Sequence, residues 1–389
     1  MKKGGALNFS NLVKSITIIF FVVYFSIFFL KTRSSSENVP YERISIEINL
    51  KNKLEYSEKI TALISIDAAK SVNWKKITKS FRSDFELVEQ ASVKLKRGSS
   101  GVIHVPVKIN KGFIDIDFPK LQVGDVVEYV FVVRRLQQSN RLGFYAIIDS
   151  MHFGNFEKIS WKIIYPENLE IFNSKYLTPK SLIENKKKFL HFEIVNNKKL
   201  HFFNHSPSVD NTKIIVSSYK TYSDFGNDYH DIFQKNSLTY DVLPKIIKNS
   251  FSHYGNKESA VTELLFKWVQ ENIKYSNKNL DVYVGGPRDI ESILSTKNGD
   301  CKDHVALLHA LLKREGIESV PALVSTKKPT LWPEIVYPTV FDHLVLYVPS
   351  INRFIDPSDK SSGFNRVSPI IQGKPALLIS DNSEIRIIP

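Results

Sequence analysis

The sequence predicts an α+β protein in three parts: an N-terminal transmembrane helix, a β-sandwich-like domain and a C-terminal domain of mixed helices and strands. Three observations carry this. Residues 15–30 are uncharged and apolar all round. From Tyr41 to about Ile215, short alternating or β-branched runs are broken by turn residues. From Thr221 onward, apolar residues recur at spacings of three and four. The expected divisions are 1–33 for the membrane segment, 34–40 for a polar linker, 41–220 for the β-rich domain and 221–389 for the C-terminal domain.

The first element is the membrane segment. Its sixteen residues rise roughly 24 Å as a helix, just short of a ~30 Å hydrocarbon core. Lys14, Lys31 and Arg33 flank it and can snorkel to cover the difference. A cleaved signal peptide shares the basic start and apolar middle, and Ser34 to Ser36 offer small residues for cleavage. Lys31 and Arg33 follow the apolar run directly, which favours a retained anchor. Both readings put the rest of the chain outside the cytoplasm, in a single-pass, periplasmic arrangement.

The second element is β. Ile44 to Leu50, Val102 to Ile109, Val127 to Val133 and Ile159 to Tyr165 read as strands. Lys186 to Lys188 reads as a solvated turn. His104, His152, His191, His201 and His205 fall in this region without metal-ligand spacing, so they are expected to be ordinary surface or core residues.

Composition narrows the function classes. The charge is +13, from 53 Lys and Arg against 40 Asp and Glu. The lysines are scattered along the chain, whereas a nucleic-acid footprint is clustered on one recognisable element. No nucleic-acid partner is expected. Cys301 is the one cysteine, which excludes an intrachain disulfide and a multi-cysteine metal site.

In the third part, helices are predicted over residues 222–235, 239–252 and 257–275. A loop with Gly285-Gly286-Pro287 and a short helix over 289–295 lead to Asn298-Gly-Asp-Cys-Lys-Asp303. Gly299-Asp300 supplies a turn and an N-cap, Asp303 sits at the capping-box position, and Gly316 is a C-terminal stop. Cys301 therefore falls in a first helical turn, where the dipole and free N–H groups favour a thiolate. Residues 342–348 read as a strand, 349–352 as a turn and 353–356 as the returning strand. With the turn centred between Ser350 and Ile351, Val345 opposes Asp356. His343 is then its diagonal neighbour, within reach of an imidazole. A hairpin can carry a base and the carboxylate that orients it, and a helix terminus can supply a thiolate, which is the logic of a nucleophile, base and orienter. Cys301, His343 and Asp356 are the candidate catalytic residues. His304 and His309 are spaced by five and read as structural.

These residues resemble the core of the transglutaminase-like superfamily, which has a papain-like fold with a triad in the order Cys, His, Asp. The resemblance rests on Gly299-Asp-Cys-Lys-Asp303, Asp342-His343 and Phe354-Ile-Asp-Pro357. It extends to Trp268 through Tyr275, Gly286-Pro-Arg-Asp289 and Ile371 through Leu377. Phe118 through Tyr129 is similar to part of a domain of unknown function that precedes this core in bacterial envelope proteins. The chain stops at Pro389, directly after the core, where some relatives continue with further β or membrane segments.

The resemblance implies an enzyme acting on amide bonds of a protein or peptide through a Cys301 thioester, as protease, amidase or acyl transferase. The family also contains inactive scaffolds, so a non-catalytic envelope protein that binds through its β-rich domain is the alternative. The calcium sites of animal transglutaminases have no visible counterpart, so no metal and no cofactor are expected. The resemblance further implies an oxyanion donor upstream of the cysteine, for which Tyr275 and Asn298 are candidates.

Overall fold

The computed structural model describes residues 41–66, 76–81, 83, 86–98, 101–136, 142–149, 156–173, 179–195, 213–237, 258–276, 286–327 and 334–389. The chain is mixed α+β, with a large β-rich N-terminal region followed by helices and a smaller sheet. The expected membrane segment, 15–30, and the expected helix over 239–252 lie outside the described residues. Among the described residues no helix is long and apolar enough to cross a membrane.

Alternation in the first half does what the pattern predicts. In Tyr41–Leu50, Ile44, Ile46, Ile48 and Leu50 are buried while Arg43, Ser45 and Glu47 face outward. This strand lies inside an eight-stranded sheet, parallel to Phe156–Pro166 and antiparallel to Tyr56–Ser65. Two three-stranded sheets, one containing Phe113–Asp117 and the other Lys213–Ser217, add Ile114, Ile116, Ile214 and Val216 to the same apolar core. Burying each such side chain contributes about 1.5–3 kcal/mol.

The run from Val102 to Ile109 is not one strand. It divides into Val102–Val105 and Val107–Asn110, which belong to different sheets. Pro106 stands at the break, because proline has no N–H to give to a ladder. Asn185 and Lys186 form the two-residue turn of the hairpin Lys180–Glu184/Lys187–Val195. Their φ values of 51° and 60° are those of the tight turn that matches strand twist. Lys187 and Lys188 already belong to the returning strand.

The second half holds α1 (Tyr222–Ser237), α2 (Glu258–Asn272), α3 (Ile290–Thr296) and α4 (Cys301–Arg314). Its five-stranded antiparallel sheet runs in the order Arg353–Ile355, His343–Val348, Val320–Val324, Pro375–Leu378, Glu384–Ile387. Eleven of the fourteen residues of α4 are buried, so it is a core helix and not an amphipathic surface one. Val305, Leu307, Leu308, Leu311 and Leu312 bind it into one cluster with the other helices and one face of the sheet. At its far end the Gly316 N–H donates to Lys313 O (3.1 Å) and the Ile317 N–H to Leu312 O (2.9 Å). Gly316, at φ 73°, takes the left-handed position that ends the helix.

The helix predicted through residue 275 stops earlier. After Asn272 the chain turns to strand, because the Lys274 N–H donates to Lys297 O (2.9 Å) and Tyr275 pairs with Gly299. This two-residue bridge fixes the end of α2 against the start of α4. The closing strand is likewise shorter than expected, Pro375–Leu378, with turns before it.

Candidate active site

Cys301 is the first residue of α4, and Asp300, Lys302 and Asp303 beside it hold that helix terminus. Asp300 caps it, accepting from the backbone N–H groups of Lys302 (2.9 Å) and Asp303 (3.3 Å). Asp303 reaches back to accept from the Asp300 N–H (3.3 Å), closing the predicted capping box. The box leaves no room for a side chain at 299, where a Cβ would stand 2.5 Å from the Asp303 Cβ. Glycine at 299 is thus a packing requirement of the cap.

Both capping carboxylates are buried, so each needs a cation. The Lys302 ammonium donates to Asp300 Oδ2 at 2.6 Å. Burial works against that ammonium, but Asp300 and Cys301 outweigh it and hold its proton more tightly than usual. Arg288 supplies the second cation. Its Nε donates to Asp303 Oδ2 and its backbone N–H to Oδ1, both at 2.9 Å, and its Nη2 donates to Asn298 O. The expected role of Gly286-Pro-Arg-Asp289 as an approach segment therefore has a physical content: Arg288 clamps the cap.

The hairpin has the register derived from its sequence. Leu346 pairs with Ile355, Tyr347 with Phe354 and Val348 with Arg353, and one step further sets Val345 opposite Asp356. The turn is a short 3-10 segment, Pro349–Ile351, closed by Asn352 in the left-handed region (φ 47°). His343 Nε2 and Asp356 Oδ2 are 2.6 Å apart. The other carboxylate oxygen accepts from the Ser358 N–H (3.0 Å), the Ser358 hydroxyl (2.8 Å) and the Asp359 N–H (3.3 Å), which fixes the rotation of the whole group.

Burial raises the proton affinity of Asp356, yet His343 and Ser358 more than compensate, and its carboxyl lies below the usual range. Burial pushes His343 down, but Asp356 and then the nearby Cys301 thiol outweigh it, and the ring lies well above its ordinary value. With Nε2 committed to Asp356, Nδ1 is the ring nitrogen left for Cys301. The structure thus brings the three sequence-selected residues together at the junction of helix terminus and hairpin. The Cys301 residue is only 1% exposed, whereas the His343 side chain is 15% exposed and lines an open cleft.

The two oxyanion candidates part company. Asn298 spends its side-chain amide on Thr296 O at 3.1 Å. Tyr275 lies in the cleft, with its hydroxyl in the electrostatic field of Cys301, Asp300 and Asp356. His304 and His309 are structural in placement. His304 Nδ1 is 2.8 Å from the Asp300 carbonyl and its Nε2 is 3.2 Å from that of Ile273. His309 is bonded to the Ser319 hydroxyl at 2.9 Å, and burial lowers its pKa to about 4.

Three supporting residues carried no role in the sequence reading. Gln270 on α2 donates its amide to the carbonyls of Asp359 (2.9 Å), Ser362 (3.3 Å) and Asp356 (3.5 Å), tying down the loop behind the orienting carboxylate. Lys374 donates to three consecutive carbonyls, those of Ser325, Thr326 and Lys327, at 3.1–3.2 Å. Tyr229 on α1 is buried near Cys301 and Asp300, and its hydroxyl has no hydrogen-bond partner among the described residues. Each depends on contacts between distant segments, and no local pattern announces them.

Comparison with known proteins follows this geometry. Residues 247–337 match the family model of the transglutaminase-like superfamily. The chain contains a transglutaminase-like superfamily domain. The match includes Cys301 and ends before His343 and Asp356. A UPF0252 protein from Methanocaldococcus jannaschii is 29% identical over 119 residues, which are 29% of this chain and 33% of that protein. The chain therefore spans about a third of the length of that curated relative. A crystal structure of a candidate protease from Parabacteroides distasonis aligns over 90% of this chain and 72% of its own at a TM-score of 0.60. At 12% identity that likeness concerns the fold. The β-rich region preceding the transglutaminase-like domain belongs to the same alignment, since the alignment covers nearly the whole chain.

Proposed function

We propose that the protein is a cysteine enzyme acting on amide bonds of a peptide or protein, with Cys301 as nucleophile, His343 as acid and base and Asp356 as orienter. One observation carries the reading. The Asp356 carboxylate, its second oxygen saturated, stands 2.6 Å from His343 Nε2, and the Cys301 thiol at a capped helix terminus acts electrostatically on the same ring. The carboxylate stabilises the imidazolium, which in turn stabilises a thiolate. The thiolate attacks the amide carbonyl and forms a tetrahedral intermediate. Its collapse breaks the C–N bond as His343 passes its proton to the departing amine, leaving a Cys301 thioester. Water, deprotonated by His343, then attacks the thioester and releases the acid and the thiol. An amine in place of water gives acyl transfer by the same steps. The backbone N–H of Cys301, and the hydroxyl of Tyr275, are the candidate donors to the oxyanion. In this reading the β-rich region is a sandwich-like module, and residues 15–30 anchor the chain with its bulk outside the cytoplasm.

The 1% exposure of Cys301 favours a second reading, in which the domain is a non-catalytic scaffold that binds through its β-rich region. Thiol-directed peptidyl probes separate the two. The enzyme reading expects wild type to label at neutral pH, Cys301→Ala not at all, and His343→Ala at least tenfold more slowly. Cys301→Ser is expected to fold and to fail in complementing a deletion. Absence of labelling in a folded wild type, together with full complementation by Cys301→Ser, gives the scaffold reading instead.

A further inference from the structure

We infer that the cleft beside His343 is a subsite for a neutral apolar side chain adjoining the scissile amide, with Ile370 and Tyr275 as its apolar walls. The inference rests on the proposed function and deepens it. The cleft encloses about 460 Å³ and reaches His343 and Asp356 at one side. Ile370 is 54% exposed at its rim and Tyr275 is 37% exposed within it. A single exposed isoleucine needs no explanation on its own. This one, however, is held in place toward a polar catalytic pair.

Its neighbour Ile371 also lines the cleft and is buried in the core on the face of the five-stranded sheet opposite α4. The turn that carries both is pinned by three backbone bonds: Ile371 N–H to Ser368 O (3.0 Å), Lys374 N–H to Ile371 O (3.2 Å) and Gly373 N–H to Ile388 O (2.9 Å). Tyr275 is fixed by its bridge to Gly299 and by the Ser276 N–H donating to Gly299 O at 2.9 Å. Thr326 completes the cleft. Its N–H and hydroxyl donate to Asp342 at 2.6 and 2.8 Å, and the Lys374 ammonium caps its carbonyl. These walls are therefore held by backbone bonds, and a side chain entering them gains apolar contact.

Charge selects among side chains. Lys360 and Asp359 share the rim and are opposite in sign. Asp359 accepts from the hydroxyls of Ser361 and Ser362, both at 2.6 Å, which keeps its carboxyl below the usual range against the effect of burial. The two charges offset one another, so the rim offers no net attraction for an acid or a base. What remains is apolar surface next to the reacting groups.

The test uses the full chain carrying Cys301→Ala, so that binding is read without chemistry. Fluorescein-labelled peptides of one sequence, with Leu, Phe, Gly, Asp or Lys at a central position, are titrated by anisotropy. The Leu and Phe peptides are expected to bind at least tenfold tighter than the Gly, Asp and Lys peptides. Adding Ile370→Ser is expected to shrink that preference to within threefold, with the thermal midpoint unchanged because Ile370 is exposed. Equal affinities across the series, a preference for Asp or Lys, or a tenfold preference that survives Ile370→Ser overturns the subsite. Loss of probe labelling in a folded wild-type protein would instead overturn the cysteine reading, independently of these affinities.

Discussion

The two halves of the molecule handle buried charge differently. In the β-rich half, the described ion pairs with a buried member lie at two separate places, one of them beside Tyr56 and Arg135. Arg97 meets Asp125 at 2.8 Å where a loop rejoins the sheet, and Lys79 lies 3.9 Å from Glu58 between strands. Other pairs among the described residues of that half sit on its outer surface, such as Lys96 with Glu128 at 3.1 Å. In the C-terminal half, buried charges converge. Asp300, Lys302, Asp303 and Asp356 are all buried within reach of one helix terminus. The Arg97–Asp125 pair fixes a loop against the sheet. A convergent set, with carboxylates, cations and a thiol in mutual contact, costs desolvation at every member and is held because together they define a field at one point. Five apolar side chains of α4 offset that cost, at about 1.5–3 kcal/mol each.

The largest effect expected from breaking this contrast is at Asp300. Asp300→Ala removes the cap and takes a buried carboxylate from the Lys302 ammonium, and should cost about 3–5 kcal/mol in urea unfolding. It should also slow alkylation of Cys301.

Asp356→Asn should cost about 3 kcal/mol, with a distinct pH signature. Asp356 is held below its ordinary range, so its contribution is complete above about pH 4 and is lost as pH falls through the depressed value. His343 is held above its ordinary value, so its contribution is complete below about pH 6.5 and is lost as pH rises through the raised value. Unfolding curves for wild type and variant should differ most between those limits and converge in acid. A gap independent of pH would remove the ion pair from the account.

Gly299→Ala places a methyl against the Asp303 side chain and should cost about 1–3 kcal/mol, with the thermal midpoint falling accordingly. Asp125→Asn in the β-rich half should cost about 1–2 kcal/mol, because Arg97 keeps the Lys120 carbonyl at 2.9 Å and is partly solvated. It should leave Cys301 alkylation untouched, which is the sharpest test that the two sets of charges are independent. The exposed Lys96–Glu128 pair should contribute no more than about 0.5 kcal/mol in a double-mutant cycle.

What could be read from the sequence follows the same division between local and long-range. The capping box spans Asp300 to Asp303, and the His343–Asp356 contact spans one hairpin, so turn chemistry and strand period were enough to derive both. The break at Pro106 followed from a local rule but was not anticipated, because the β-branched residues on either side masked it. Bringing Cys301 to His343 needed the family resemblance, since nothing local links a helix start to a hairpin in another part of the chain. Arg288 stood in a recognised segment, yet its bond to Asp303 joins residues fifteen apart on different elements. Gln270 and Lys374 act on carbonyl groups, and carbonyls are the same at every residue, so no side-chain pattern encodes their targets.

The place of Tyr41–Leu50 within its sheet has a mechanical consequence. The strand is bonded along its length on both sides, to Phe156–Pro166 and to Tyr56–Ser65. A pull applied to the chain ahead of Tyr41 and directed along the strand would load both ladders in shear, with many hydrogen bonds stretched together instead of opened one at a time. Resistance to such a force is set by the rate of unfolding and not by equilibrium stability. A tug from the N-terminal side of the β-rich half therefore meets two ladders in shear.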